Sequence, residues 1–391
     1  MSRCLPFRRG DAACALLSSL PGMAHLRDVA IIGAGLLGLA AGRALAARGR
    51  DVVVLEQAEI GHPAAGSKGS CRIFRLGYPE PAYVAAARQA GVLWRELETE
   101  SGQRILLPTP QLTFGTGLRA VYDAMRAAGA PCELLSAAAT ADRFPAVRVD
   151  GPALFEPQSC VIAADTALAA LAARVPEIRT GTRVLRLSDD DRHVTVHTSA
   201  GTVTARTAVI TAGPWSGALL ATAGVPLPGR PTLEQVAYLQ PAGPTAAMPI
   251  FICHADRAPY GLPVPGSPLY KIGIHPSGPA TDPDAQDQSA DPHLLSKLSE
   301  VARQYLPGYD PEPAAAERCV YDNTPDEDFV VDRIGNVVVG SGTSGHGFKF
   351  GPLFGEWLAD LAAGTPGGPA PELRQRFALS RFRRPTESTA H

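Results

Sequence analysis

A glycine-rich turn between two short apolar segments constrains the fold of this chain more than any other feature. Residues 28–32 are predicted to form a buried β-strand, and the turn GAGLLG follows at residues 33–38. A helix over residues 39–48 and a second apolar strand over residues 51–55 come next, and Glu56 follows that strand. A strand, a G-x-G-x-x-G turn, a helix, a strand and an acidic residue within about thirty residues are typical of a dinucleotide-binding βαβ unit.

The residues of this turn meet separate requirements of dinucleotide binding. Gly33 permits the tight turn, and Gly35 with Leu36 lets backbone amides approach a pyrophosphate. Gly38 lets the helix pack closely against the strand, and the N-terminus of the helix then faces the phosphates. Glu56 would accept hydrogen bonds from a ribose, and its charge disfavours a 2′-phosphate. The pattern predicts a dinucleotide cofactor without choosing between NAD and FAD.

A succession of strands in the middle of the chain favours FAD. Residues 178–187, 193–199 and 202–210 are predicted to form a β-meander whose last strand runs into the sequence TAGPW, which contains Gly213 and Trp215. A strand that ends in T-A-G-x-W recurs in FAD-binding folds, in which the glycine turn brings the backbone close to the cofactor. NAD-only Rossmann enzymes lack this meander, so FAD is the favoured dinucleotide.

The segment GSKGSCRIFRLGY at residues 66–78 combines small residues with three cations, Lys68, Arg72 and Arg75. Arg72 and Arg75 share a face if the segment is helical. Considered alone, a solvated basic turn is the favoured interpretation. A site for an anionic ligand is the alternative.

The segment YKIGIH is predicted to be a β-strand. Alternation places Lys271, Gly273 and His275 on one face and the two isoleucines on the other. A lysine, a glycine gap and a histidine on one face could form the floor under a planar ligand. An ordinary half-exposed strand explains the same residues and is favoured when the segment is considered alone.

The stretch over residues 319–350 combines a thiol, an acidic turn, two strands and a glycine-rich loop that carries His346 and Lys349. The loop at 340–347 is predicted to lead into a helix over residues 351–363, and a glycine loop at a helix N-terminus is an anion site. The acidic run at 326–328 is interpreted as a solvated turn. This mixture indicates contact with a redox cofactor, the reduced flavin ring being the candidate anion.

Charge and cysteine content exclude several classes of protein. The chain has 36 basic and 38 acidic residues, and this balance argues against binding to nucleic acid or to an anionic membrane surface. Its seven cysteines are widely spaced without a C-x-x-C pair, so neither a disulfide framework nor a structural zinc site is predicted. A reducing cytoplasm is therefore the expected location.

Residues 1–26 precede the first convincing strand and faintly resemble an export signal, because Arg8-Arg9 is followed by a short apolar patch. Gly10-Asp11 and Pro21-Gly22 interrupt that pattern. A poorly ordered extension is the favoured interpretation over export.

Four of these segments together resemble the monomeric sarcosine oxidase and N-methyltryptophan oxidase family of flavin amine oxidases. They are GAGLLG with Glu56, GSKGSCRIFRLGY, YKIGIH, and CVYDNTPDEDFVVD followed by SGHGFKF; the similarity extends from about residue 27 to about residue 382. The resemblance implies FAD joined by a thioether to Cys319 and a Lys271 that activates dioxygen, since an ammonium stabilises superoxide. It also implies that Arg75 and Lys349 bind the substrate carboxylate. The arginine guanidinium can donate two parallel hydrogen bonds to a carboxylate, and the lysine ammonium adds a compact positive charge.

The resemblance assigns further residues to the site. Arg72 matches an arginine close to the flavin ring, and Tyr260, His275 and Tyr321 match residues that line the substrate cavity. The cofactor-binding residues that it implies are Gly33, Gly35, Leu36, Gly38, Glu56, Lys68, Arg72, Val184, Gly213, Trp215, Cys319, Gly345, Gly347 and Lys349.

Two positions depart from the family pattern. Lys68 stands where the family more often has histidine, and Leu76-Gly77 replaces a His-Ala pair. These changes alter the pocket wall or a proton relay, so they affect substrate identity more than chemistry.

The implied protein is a monomeric FAD-dependent oxidase of small secondary amines, N-methyl or cyclic amino acids, which yields an imine and hydrogen peroxide. The alternatives are another amine, a dehydrogenase with a protein acceptor, and a non-catalytic flavin-binding module. The expected fold is α/β with α+β character: a Rossmann-like FAD-binding domain with a meander, interleaved with a mixed-sheet substrate domain. The predicted boundaries assign residues 27–107, 150–225 and 318–385 to the former and 108–149 and 226–317 to the latter.

Overall fold

A computed structural model describes residues 25–244, 247–255 and 258–382. Almost all of the predicted extension over residues 1–26 lies outside the described residues. The β-strands are β1 Leu26–Ile32, β2 Val52–Leu55, β3 Cys71–Phe74, β4 Leu106–Pro108, β5 Gln111–Gly115, β6 Glu133–Leu135, β7 Ala153–Glu156, β8 Cys160–Ala163, β9 Ile178–Arg179, β10 Val184–Asp189, β11 Val194–Thr198, β12 Gly201–Ile210, β13 Arg230–Leu239, β14 Ile250–His254, β15 Pro259–Pro263, β16 Tyr270–Ile274, β17 Ala315–Asn323, β18 Val330–Ile334 and β19 Val337–Ser341.

The α-helices of the described residues are α1 Leu36–Ala47, α2 Pro81–Ser101, α3 Leu118–Ala127, α4 Ala137–Arg143, α5 Ala164–Ala172, α6 Ser216–Thr222, α7 Pro292–Tyr305, α8 Gly351–Ala363 and α9 Pro371–Phe377. Seven of these α-helices lie between the strands in the sequence, and α8 and α9 follow the last strand. Short 3₁₀ helices occupy Gly213–Trp215, Phe348–Phe350 and Leu379–Phe382. Among the described residues, no helix is long and apolar enough to cross a bilayer.

The first sheet is built around β1. Parallel pairing of β1 with β2 and β12 forms its centre, and the order is β10-β11-β12-β1-β2-β9, with β19 added to β12 and β18 to β19. Alternate residues of β1 face different cores: Val29 and Ile31 pack with α1, α2, α5 and α8, whereas Ala30 and Ile32 pack beneath the meander. This two-sided burial explains the continuous apolar run in β1.

The second sheet has the order β17-β13-β16-β15-β14-β5-β7-β6. It is antiparallel except for the β5–β14 pair, and α7 covers one of its faces through a core that includes Ile272, Ile274 and Leu298. Strands β3, β8 and β4 form a small third sheet in that order. The carboxyl end of β1 and the face of β16 that carries Lys271 therefore belong to separate sheets whose residues line one cavity.

Two predicted elements differ from the structure. Residues 178–187 form two strands, since Gly181 adopts a positive φ of 62° and breaks the run; β9 pairs with β2, and β10 begins the meander. Residues 71–74 form strand β3 and are not helical, so the condition for Arg72 and Arg75 to share a helical face is not met. The predicted domain boundaries stay a prediction. Within the second sheet, β7 pairs with β5 and β17 pairs with β13.

Candidate active site

A cavity of about 1020 Å³ extends from the glycine turn after β1 to the face of the second sheet. Its wall contains every residue assigned to the site from the sequence except Gly38. These residues are Gly33, Gly35, Leu36, Glu56, Lys68, Arg72, Arg75, Val184, Gly213, Trp215, Tyr260, Lys271, His275, Cys319, Tyr321, Gly345, Gly347 and Lys349. Segments separated by more than three hundred residues of sequence therefore converge on one space.

The glycine turn has the close packing that its sequence predicts. Gly33 has a φ of 100°, and a Cβ there would lie 2.6 Å from the carbonyl oxygen of Thr211. Gly38 lies outside the cavity because it packs the helix against the turn: a Cβ there would lie 1.9 Å from the carbonyl oxygen of Gly33. Glu56 is buried and accepts a hydrogen bond from the amide of Ala34 at 2.8 Å. The predicted ribose acceptor thus also braces the turn.

The loop between β16 and α7 closes the opposite side of this end of the cavity. Asp284 accepts hydrogen bonds from Trp215 Nε1 at 2.8 Å and from the Arg183 guanidinium at 2.7 Å. Lys68 donates to Gln288 of the same loop at 3.2 Å. The loop residues were not assigned to the site from the sequence, because a polar, proline-containing loop carries no motif.

The Arg72 side chain is held by backbone carbonyls of its own loop. It donates to Cys71 at 2.9 Å, to Gly66 at 3.2 Å and to the carbonyl of Lys68, and its guanidinium lies 5.4 Å from the centre of the Phe348 ring. These contacts orient the cation into the cavity, so a freely solvated basic turn is not what the structure contains.

Arg75 and Lys349 both contact Tyr78. The Arg75 guanidinium lies 4.3 Å from the centre of the Tyr78 ring and donates to the carbonyl of Gly77. Lys349 Nζ donates to Tyr78 Oη at 2.9 Å. Burial lowers the pKa of Lys349 well below its usual range, Arg75 lowers it further, and Glu156 acts in the opposite direction. Two cations are thus concentrated at one wall of the cavity.

Lys271 and His275 come from β16 and the residue after it, and both face the cavity. Lys271 is 6% exposed, and burial lowers its pKa, with Cys71 as the group that opposes this effect most. The glycine between them does not leave a gap, because a Cβ at Gly273 would lie 2.5 Å from the Tyr260 ring. The predicted floor is therefore covered by Tyr260 at its centre and bears a lysine and a histidine at its ends.

Strand β17 contributes Cys319 and Tyr321 to the same wall. Burial raises the pKa of Cys319, and Lys271 and Arg72 act in the opposite direction. Tyr321 donates its hydroxyl hydrogen to Tyr260, and its ring centre lies 5.5 Å from that of His275. Thiol and tyrosine have the i, i+2 spacing that places both on one face of a strand.

The glycine loop before α8 is fastened to β17 by Asp322. This carboxylate accepts hydrogen bonds from Ser341 Oγ at 2.8 Å and from the amide of Gly342 at 2.7 Å. Gly345 has a φ of 73°, and a Cβ there would lie 2.2 Å from the Tyr321 ring. The loop must therefore carry glycine at this position to lie against the tyrosine.

Three residues of the site carried no sequence assignment. Tyr78 and His346 belong to quoted motifs, but their contact joins residues far apart in the chain: Tyr78 Oη lies 3.1 Å from His346 Nδ1. Glu156 is fully buried and accepts from the amides of Leu76 and Gly77 at 3.1 Å and 3.0 Å. The sequence contains no local signal for either arrangement.

The acidic turn that precedes β18 is mostly structural. Asp326 pairs with Arg381 at 2.8 Å, and Asp328 pairs with Arg376 at 2.6 Å and accepts from Tyr83 Oη at 2.6 Å. The interpretation of this run as a solvated turn is correct for its exposed residues, whereas Asp328 is half-buried and ties the turn to α9 and α2.

A βαβ glycine turn, a meander on the same sheet and a cation-lined cavity against a second sheet define a flavin-dependent oxidoreductase. The chain belongs to the FAD dependent oxidoreductase family (DAO), which it matches over residues 28–361. This membership confirms the predicted fold class and FAD as the cofactor.

Individual relatives are similar over nearly their whole length. The chain is 34% identical to peroxisomal sarcosine oxidase of Mus musculus, with 93% of this chain and 98% of that protein covered. It is 33% identical to monomeric sarcosine oxidase of Bacillus sp. (strain NS-129), with 86% and 92% covered. Among solved structures, a variant of NikD, an unusual amino acid oxidase essential for nikkomycin biosynthesis, gives a TM-score of 0.81 at 27% identity, with 90% and 97% covered. The resemblance stated from the motifs is confirmed.

Proposed function

We propose that this protein is an FAD-dependent oxidase of small secondary amines that carry a carboxylate, such as N-methyl or cyclic amino acids. The C–N bond is oxidised to an imine, which hydrolyses, and dioxygen is reduced to hydrogen peroxide. The observation that carries the proposal is the placement of Arg75 and Lys349 in the same cavity as Lys271 and Cys319. The names of the two sarcosine oxidases support the choice of substrate class.

The residues at the cavity's glycine end fit FAD. Gly33 and Gly35 line the cavity at the N-terminus of α1, where backbone amides would meet a pyrophosphate, and Glu56 lines it at the end of β2, where it would meet a ribose. When bound, FAD supplies the acceptor for the two electrons and the hydrogen lost from the substrate carbon. We propose Cys319 as the point of covalent attachment and Arg72 as a cation beside the ring.

The other end of the cavity fits a small amino acid. Arg75 and Lys349 would anchor its carboxylate, and Tyr260, His275 and Tyr321 would enclose its nitrogen and side chain. Burial lowers the pKa of His275, so its imidazole stays neutral and can accept a hydrogen bond from the substrate nitrogen. A neutral substrate amine is required because its lone pair stabilises the developing imine.

A peroxide-coupled assay of N-methyl and cyclic amino acids tests the proposal. Peroxide formation with at least one of these compounds is the expected result, and Lys349→Met should raise KM by about tenfold or more because a charge-assisted contact is lost. The matched Lys297→Met variant, on helix α7 and outside the cavity wall, should leave KM unchanged. Turnover with an artificial electron acceptor but not with dioxygen would instead indicate a dehydrogenase.

Attachment at Cys319 has its own test. Acid precipitation of the holoenzyme should leave the yellow colour in the pellet, and Cys319→Ser should transfer it to the supernatant. Colour in the supernatant of the wild-type protein would refute the covalent link. A monomer is also proposed, on the strength of the Bacillus relative's name; the cytoplasmic location stays a prediction.

A further inference from the structure

A continuous chain of hydrogen bonds joins Lys349 to the molecular surface. Lys349 Nζ donates to Tyr78 Oη at 2.9 Å, and Tyr78 Oη lies 3.1 Å from His346 Nδ1. His346 Nε2 lies 3.1 Å from the carbonyl oxygen of Glu327, in the exposed turn at the cavity mouth. Tyr78 and Lys349 are buried, His346 is partly buried and Glu327 is exposed, so the chain runs from the interior toward solvent.

The partners allow one consistent set of hydrogen positions when Lys349 is charged. The Glu327 carbonyl accepts, so His346 carries its hydrogen on Nε2, and its Nδ1 is left as an acceptor. Tyr78 then donates its hydroxyl hydrogen to Nδ1 and accepts from Lys349. Tyr78 and His346 each accept on one side and donate on the other, which is the arrangement that a stepwise proton transfer requires.

The surroundings of Lys349 make its charge easy to change. The charged and titratable groups that face it are Arg75, Glu156, Tyr78 and His346, and His275 and Glu327 act on His346. Burial lowers the pKa of both Lys349 and His346 well below their usual ranges. An incoming carboxylate acts against that effect at Lys349, because a nearby anion favours the ammonium form.

We propose that Tyr78 and His346 pass a proton from solvent to Lys349 when a substrate carboxylate binds, and return it when product leaves. When Lys349 is neutral, the hydrogens are reversed: His346 carries its hydrogen on Nδ1 and donates it to Tyr78 Oη, and Tyr78 donates its hydroxyl hydrogen to the Lys349 nitrogen. In the uptake direction, a proton from water binds His346 Nε2, the Nδ1 hydrogen moves to Tyr78 Oη, and the Tyr78 hydroxyl hydrogen moves to the Lys349 nitrogen. His346 and Tyr78 each gain one hydrogen and lose one, and Lys349 gains one and becomes the ammonium. This inference rests on the proposed role of Lys349 in carboxylate binding; Tyr78 and His346 act through it as positioning residues.

Binding of acetate to the holoenzyme tests the equilibrium part of the proposal without any turnover. Isothermal titration in two buffers of different ionisation enthalpy counts the protons taken up. We expect uptake to approach about one proton per acetate at some pH between about 6 and 9, and to vanish in Lys349→Met. Acetate binding without proton uptake across this range would overturn the proposal. Because acetate contains no amine, failure to oxidise secondary amines is a separate result.

The relay itself is tested by the rate of proton uptake, followed by stopped flow with a pH-indicator dye. Tyr78→Phe and His346→Gln should each slow uptake by about tenfold or more, while the final number of protons stays within about a factor of two of wild type. Tyr83→Phe is the matched control. Tyr83 stacks on Tyr78 with ring centres 5.0 Å apart, but its hydroxyl donates a hydrogen bond to Asp328 and not to a member of the chain.

The outcomes separate a relay from a structural network. Unchanged uptake rates in both Tyr78→Phe and His346→Gln would overturn the relay. Equal slowing in Tyr83→Phe would overturn it as well, since a general loosening of the wall would then explain the effect. Two relay variants keep the test decisive if one of them does not fold.

Discussion

At the scale of single residues, the cavity is distinguished by buried lysine side chains. Lys271 and Lys349 are buried without a carboxylate partner at hydrogen-bond distance among the described residues, and burial lowers the pKa of both. Removing an ammonium from water costs several kcal/mol unless an opposite charge compensates it. Such uncompensated cations are expected where anionic groups bind, which is why they support a site for a carboxylate and for a flavin.

Lys271→Met tests the role proposed for this residue with dioxygen. We expect the variant to slow reoxidation by oxygen by about a hundredfold or more, because an electrostatic partner of a developing anion is removed. Anaerobic reduction by substrate should change much less, and stopped-flow absorbance separates the two rates. Lys297→Met, outside the cavity wall, should leave their ratio unchanged. Equal slowing of both rates in Lys271→Met would refute the assignment.

Asp322 gives the protein a pH dependence of known sign. Burial raises its pKa to about 6 from the ordinary 3.8, and the bonds from Ser341 and Gly342 only partly oppose this. The carboxyl therefore contributes stability that is fully present below pH 3.8 and is lost as the pH rises through about 6. The loss is on the order of 3 kcal/mol.

Comparison with Asp322→Asn isolates this contribution, since other titrating groups are shared. The Tm of wild type relative to the variant should fall as the pH rises from about 4 to about 7 and should then level off. Thermal unfolding of both holoproteins across this range measures the difference. A difference in Tm that does not vary with pH would contradict the raised pKa.

Single residues could be predicted where a motif carries them and not where a contact does. Cys319 and Lys349 were assigned through motifs, and the cavity contains both. The site roles of Tyr78, His346 and Glu156 could not be found, because each depends on a partner distant in sequence. Burial of a carboxylate such as Glu156 is a tertiary property that leaves no local pattern.

At the scale of elements, the site depends on the contact between α1 and α8. Both helices begin at glycine turns that reach the cavity, and both pack on the same face of the first sheet. Gly355 makes the close approach possible: a Cβ there would lie 2.6 Å from the backbone carbon of Ala40. Backbone cannot give way as a flexible side chain can, so the two helices must separate if this position carries a larger residue.

Gly355→Ala is therefore expected to destabilise the protein although alanine favours helices. Overpacking against backbone costs about 1–3 kcal/mol, which exceeds the propensity gain of about 1 kcal/mol. The Tm of the holoprotein should fall. Gly217→Ala in α6 is the control, because its nearest contact would be an ordinary 3.5 Å and its Tm should hold or rise. A Tm for Gly355→Ala at or above that of wild type would show that the contact between α1 and α8 accommodates the added methyl group.

Elements with strong periodicity or a glycine signature were predictable. The βαβ unit and the glycine loop that leads to α8 are present where the sequence placed them. The prediction of a single strand over residues 178–187 was wrong. β-Propensity alone does not show that the pairing of β9 with β2 ends before Gly181 and that β10 then pairs with β11. Residues 71–74, which include Arg72, form strand β3 because they pair with β8. This partner is distant in sequence, so the local sequence does not indicate it.

At the scale of the whole molecule, the cavity exists because two sheets face each other across the loop at residues 276–291. Glu234 of the second sheet anchors the start of this loop, accepting from the amides of Ser277 and Gly278 at 2.8 Å and 2.7 Å. In the middle of the loop, Asp284 accepts hydrogen bonds from Trp215 and Arg183, which flank strands of the first sheet. Sequence patterns predicted both sheets but not this closure, because it is made by scattered polar contacts.

Asp284→Ala should therefore loosen the cofactor at its dinucleotide end. In a Cys319→Ser background, where FAD is expected to be held without a covalent bond, we expect FAD to dissociate about three- to tenfold faster. The effect is modest because Asp284 is half-exposed and water screens its pairing with Arg183, leaving about 1 kcal/mol. Recovery of flavin fluorescence after dilution gives the rate. Asp287→Ala, whose carboxylate bonds to Ser289 of its own turn, should match the background rate. Equal rates for the two variants would mean that the loop rests against the first sheet without holding the cofactor in place.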